Sequence, residues 1–167
     1  MRTLLIAGAF GVLVGLLAAC GGSSSKSASE EAIQRDADLY AIEQIAKTWH
    51  KATSTQDVDL MLRLWAPNGT WTVGPGETVV GKKQLRRFLL TESAPFKPKN
   101  RWISLSSMYK IRITANGDRG TLYFECHYVD AKSRKVVRST GADLDVAKLN
   151  GSWLITDFVG AAPTLGP

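Results

Sequence analysis

Two of the three Asn-Gly pairs, at 116–117 and 150–151, constrain this chain more than any other feature. Each sits between long runs of alternating apolar and polar residues. Asn-Gly is the pair that most readily supplies the two positive φ angles of a tight hairpin turn. The first pair separates segments 102–114 and 121–129, and the second separates 136–149 and 152–159. Within 102–114, Ile103, Leu105, Tyr109, Ile111 and Ile113 fall on one side of an extended chain. The pattern predicts four long strands joined as an antiparallel meander.

The first half has a different period. Leu39, Ile42, Ile45, Ala46, Trp49 and Ala52 recur at three- and four-residue steps, which predicts a helix over 30–53. Ser29 is its expected N-cap, with Glu30 and Glu31 well placed in the first turn. Val58, Met61, Leu62 and Trp65 predict a shorter second helix, capped by Thr55 or Asp57 and ended by Pro67-Asn68-Gly69. Short strands at 70–73 and 77–80 flank a Gly-Pro-Gly turn, and Gly81 opens a third helix with Leu85, Phe88 and Leu89 inward. Pro95 and Pro98 then break the chain before the strand-rich half. Helices first and a meander afterwards describe an α+β domain, with three N-terminal helices packed on a curved, mainly antiparallel sheet.

Ahead of this domain, Arg2 is followed by an uncharged apolar segment, 3–19, that closes on Leu17-Ala18-Ala19-Cys20 and gives way to glycine and serine. As a helix it would span about 25 Å, near the lower limit for a membrane crossing. The ending resembles the lipobox of bacterial lipoproteins, in which the peptide is cut before the cysteine and the sulfur carries a diacylglycerol. Acyl chains contribute about 0.8 kcal/mol per buried CH₂, so several chains hold a small domain durably. The resemblance implies a removed signal at 1–19, a lipidated Cys20 with a flexible tether over 20–31, a domain at 32–160 and a tail at 161–167. It places the domain in the cell envelope, on the extracytoplasmic side of a bacterial membrane, with membrane lipid as a partner through Cys20. The formal net charge of +6, or +5 without Arg2, suits an anionic lipid surface and is too modest to argue for nucleic acid. With Cys20 lipidated, Cys126 is alone and no internal disulfide forms. Its apolar-aromatic setting suits a small buried hydrophobe better than a reactive thiol.

The stretches IEQIAKTWHKATSTQDVDLMLRLWAPNGTWT (42–72), VVGKKQLRRFL (79–89) and LNGSWLITDFV (149–159) resemble the nuclear transport factor 2-like, or SnoaL-like, superfamily. Their order and spacing match its paired helices, its Gly-led third helix and its final Trp-containing strand over about residues 32–160. The resemblance implies a cystatin-like cone: a curved sheet wrapped around helices, with a pocket at the open end. That fold hosts isomerases, cyclases, hydrolases, dehydratases and domains without chemistry, so it does not decide the reaction. Where ketosteroid isomerases carry a helix tyrosine this chain has Trp49, and their aspartate falls at Val73 or Gly74, neither of which accepts a proton.

Tyr123, Glu125 and His127 share one strand face, opposite the more apolar Leu122, Phe124, Cys126 and Tyr128. Glu125 and His127 could act as an acid–base pair, or His127 could lie on the outer sheet face or at a dimer contact. Asp143 and Asp157 join them as catalytic candidates, Asp143 sharing its face with Asp145; the alternative is solvated charge. Trp49, Trp65, Trp71 and Tyr109 are the candidate ligand pocket, with Trp153 in the core. With two histidines and no ligand spacing, no metal is implied; no phosphate loop or nucleophile elbow points to a cofactor either. Lys82, Lys83, Arg86 and Arg87, followed by Lys97, Lys99 and Arg101, form a basic cluster that reads as a solvated or lipid-facing surface. The leading expectation is a membrane-anchored domain that binds a small apolar ligand or a protein partner without chemistry. The alternatives are an isomerase, lyase or hydrolase of a hydrophobic small molecule, and a homodimeric scaffold of an envelope complex.

Overall fold

The computed structural model describes residues 27–106 and 110–164. Cys20 and Tyr109 lie outside the described residues. The first helix, α1 (Ala28–Thr55), starts two residues earlier than the periodicity suggested. Its N-cap is Ser27 rather than Ser29, because only Ser27 has an acid at the third helical position. The Ser27 hydroxyl accepts from the Glu30 N–H, and the Glu30 carboxylate accepts from the Ser27 N–H at 2.8 Å. The helix ends where Gln56 turns left-handed, at φ 57°. Asp57 then caps α2 (Val58–Arg63), accepting from the Leu60 N–H at 2.8 Å.

Trp65 does not continue α2, although its spacing suits that helix; it opens β1 (Trp65–Gly74). The pull is tertiary: Trp65 is in register with Ile155, whose N–H donates to the Leu64 carbonyl at 2.8 Å. Pro67-Asn68-Gly69 therefore sits inside a strand, at an irregularity between the pairs of Trp65 and Thr70. Gly69 is needed there because a Cβ would come within 2.9 Å of the Trp65 ring and 3.0 Å of the Ile155 carbonyl oxygen. The chain continues through β2 (Glu77–Val80), α3 (Gly81–Thr91) and a 3₁₀ turn at Ala94–Phe96.

The strand-rich half holds β3 (Trp102–Ser106), β4 (Arg112–Asn116), β5 (Arg119–Asp130), β6 (Val136–Leu149) and β7 (Ser152–Ala161). The single strand expected over 102–114 is thus two, which pair in series along one edge of β5. The inward phase shifts by one residue between them. Ser104 is buried facing α1 while Ile103 and Leu105 point outward, whereas Ile113 and Ala115 pack on the core. The sheet order is β2-β1-β7-β6-β5-β3, all antiparallel except for the β1–β7 pair. The helices cover the concave face, where Leu122, Phe124, Leu144, Val146 and Ile155 meet Ile42, Ile45 and Leu85 in one core. Buried Asp38 ties α1 to the β6–β7 hairpin. Burial favours its neutral form, but Lys148 and Trp153, which donate to Oδ1 at 2.8 and 2.9 Å, outweigh that and lower its pKa.

Candidate functional site

At the open end of the concave face lies a cavity of about 470 Å³ between the sheet, the end of α1, and the segment from α3 to Trp102. Its base is an aromatic cluster centred on Trp49, whose ring lies 5.5 Å from Trp71 and 5.4 Å from Phe158. Phe88 stands edge-on to Trp71 at 5.1 Å, and on the far side Trp102 and Tyr128 lie 5.6 Å apart. Trp49 and Trp71 line the space. Trp65 does not: it is fully buried behind them, stacked on Trp71 at 5.6 Å, because its place at the first position of β1 puts it beneath the helices. Tyr109 is outside the described residues.

The polar lining is unevenly distributed. Arg138 and Thr140 on β6 face the cavity beside Tyr128 and Cys126 of β5, with Tyr128 opposite Arg138 and Cys126 opposite Thr140. Burial pushes the Cys126 thiol up to about 11 and the Tyr128 phenol well above its ordinary value, so both stay protonated at neutral pH. Glu77 on β2 and Glu92 after α3 also line the space, and neither is within ion-pair distance of Arg138. Arg138 and Thr140 were legible in principle. Counting back by twos from Leu144 and Ala142, both on the core face, puts them on the side that looks into the cone.

The four acid–base candidates lie on the opposite, convex face. Glu125 is fully buried there, beneath the chain's last described residues. The Tyr123 hydroxyl donates to it at 2.9 Å, the Thr164 N–H at 2.7 Å and the Thr164 hydroxyl also donates, while Lys110 Nζ approaches to 3.1 Å. Burial alone would raise this carboxyl, but these donors win and hold it at about 2. His127 Nε2 lies 3.3 Å from Glu125, and its Nδ1 is 2.9 Å from the Ser139 hydroxyl. Asp143 is solvent-exposed, and Asp157 accepts from the Thr70 hydroxyl next to Asp145 in register. Alternation explains the placement: Leu122, Phe124, Cys126 and Tyr128 take the concave side, leaving Tyr123, Glu125 and His127 outside. None of the four reaches the cavity wall.

His50, on α1, is buried against the concave face, with Nδ1 2.7 Å from the Ser104 hydroxyl and its ring edge-on to Phe124 at 5.4 Å. Burial, with the charge of His127 on the other side of the sheet, lowers its pKa to about 4. Among the described residues no group of three or more His, Cys, Asp or Glu is placed to hold a metal ion. The basic residues of α3 are exposed, with Arg86 ion-paired to Asp59.

Residues 34–159 match the family model described as the SnoaL-like domain. Among solved structures, an NTF2-like protein with a cystatin-like fold from Novosphingobium aromaticivorans superposes with a TM-score of 0.69 at 13% identity, over 87% of this chain and 94% of that one. A cystatin-like protein of unknown function from Nostoc punctiforme gives 0.64 at 20% identity, covering 77% of this chain and 92% of its own. An NTF2-like protein of unknown function from Pseudomonas putida gives 0.65 at 14% identity, over 77% and 88%. No curated protein matches the chain. At these identities the structural likeness establishes the fold.

Proposed function

The chain belongs to the SnoaL-like domain family, which has diverse ligand-binding and enzymatic members, and within that range we propose that it binds a small, mainly apolar ligand and performs no chemistry on it. The observation that carries this reading is the division between the two sheet faces. The concave side holds an aromatic cavity of about 470 Å³, within the range of small-molecule sites, while Glu125 and His127 are engaged with one another on the convex side. Glu125, its anion already stabilised by several donors, is a weak base, poorly suited to take a proton from a bound molecule.

A neutral fluorophore tests the cavity directly. N-Phenyl-1-naphthylamine brightens in apolar surroundings, and saturable one-to-one binding to the wild type is expected. Thr140→Trp, which places an indole in the space, should reduce that affinity at least tenfold with an unchanged circular dichroism spectrum. A folded wild type that shows no saturable signal would sink the reading.

We further propose that the domain is held at a membrane through lipidated Cys20. This rests on the Leu-Ala-Ala-Cys ending of the apolar segment and on the Gly/Ser stretch behind it. Cys20→Ser should move the protein from the detergent-soluble membrane fraction to the soluble fraction. Continued detergent-dependent retention of that variant would exclude a lipid anchor at this residue.

A further inference from the structure

The cavity's polar groups are not a random selection, and they restrict the ligand further. Arg138 lines the mouth and has no ion-pair partner among the described residues. Tyr128 stands directly across from it on β5, so their side chains rise from neighbouring points of the same face. Thr140 is one step further along that face of β6. Deeper in, the indole N–H of Trp49 finds no acceptor at hydrogen-bonding geometry among the described residues, although Trp49 is only 4% exposed and lies close to the Cys126 thiol and the Tyr128 hydroxyl. An unsatisfied buried donor of this kind is unfavourable, so it favours any occupant that brings an acceptor.

All four groups can donate, one carries a fixed positive charge, and among the described residues no carboxylate is ion-paired to it. The acidic members of the lining are elsewhere. Glu77 is on β2, three strands away from β6 in the sheet, or about 14 Å at normal strand spacing. Glu92 follows α3 and forms no ion pair among the described residues. The aromatic floor of Trp49, Trp71, Phe88 and Phe158 lies next to this donor end.

Resting on the ligand-binding reading above, we infer that the ligand is an aromatic or alicyclic carboxylate, its flat body on the tryptophan floor and its anionic head against Arg138, Tyr128 and Thr140. Guanidinium and carboxylate make charge-assisted hydrogen bonds of about twice the strength of neutral ones. A phenol kept protonated by burial serves as a second donor to the same head.

Calorimetric titration with two matched probes, 2-naphthoate and 2-naphthalenemethanol, separates this inference from the one it rests on. Wild type should bind the carboxylate about tenfold more tightly than the alcohol. Arg138→Gln, a change at an exposed side chain, should abolish that preference, chiefly through an about tenfold loss of carboxylate affinity. Tyr128→Phe should lower the preference in part. Equal binding of both probes by wild type, or a preference that survives in Arg138→Gln, overturns the carboxylate assignment while leaving the cavity as a binding site. Failure of both probes to bind removes the binding reading, and the carboxylate assignment with it.

Discussion

Replacing Trp65 by alanine is expected to destabilise the domain by about 3–5 kcal/mol, the largest effect of any single substitution considered. The side chain is fully buried, and it packs against Trp49 at 6.4 Å, Trp71 at 5.6 Å and Phe158 at 6.5 Å. Its loss would open a cavity beneath the cluster that forms the binding floor, and the surrounding rings belong to three different elements that cannot collapse together. Urea unfolding followed by far-ultraviolet circular dichroism would measure the loss as a lower midpoint at an unchanged slope. A cost below 1 kcal/mol would show that Trp65 is not the keystone its burial indicates. Trp71→Ala is the informative contrast: that ring is only partly buried and lines the cavity, so probe affinity should fall more than stability.

Acid should unfold the protein in two stages, the first set by His50. In the unfolded chain its imidazole takes up a proton near 6.5, but in the fold burial and the His127 charge delay protonation to about 4. Between those values the unfolded state binds more protons, so stability falls as the pH falls. The full contribution is present above pH 6.5, and the shift corresponds to about 3 kcal/mol lost by pH 4. Glu125 acts below that range. Its carboxyl protonates near 4.5 when unfolded but only at about 2 beneath Thr164, so its contribution disappears between those two values. Urea midpoints at pH 7.0, 5.5 and 4.0 would resolve the first stage. In His50→Asn the decline between pH 6.5 and 4 should flatten; an equally steep decline would assign the acid sensitivity to other groups.

Local chemistry made the hairpins legible, but the first turn is Gly117-Asp118, with only Gly117 at positive φ (57°) and Asn116 paired to Arg119 at the strand end. Asn150 and Gly151 adopt φ values of 51° and 80°, the pair of positive angles that drew attention to them. Asp57 was recognisable as a cap for the same reason, since its side chain completes a bond three residues away. What local pattern could not reveal was set by distant partners. Trp65 satisfied a helical period and became a strand because Ile155, ninety residues later, pairs with it. The phase change between Ser104 and Ile113 is invisible in an alternation that reads continuously across both strands. In the site, the aromatic half was visible in the tryptophans, whereas no motif drew attention to Arg138. Alternation along β6 puts it on the concave side, and the register sets it opposite Tyr128.

The parallel pairing of β1 with β7 also has a consequence for how the molecule is made. During synthesis, β1 and β6 emerge with edges that only β7 can cover, and Ser152–Ala161 is the last strand to appear. Until then the aromatic floor lacks Phe158, and both strands retain an uncovered row of backbone donors and acceptors. The closing contact spans most of the domain's length, and its large loop-closure cost has to be met before the core repays it. The nascent domain therefore remains uncommitted until β7 has emerged, and a fragment ending before Ser152 would be left with open sheet edges prone to aggregation.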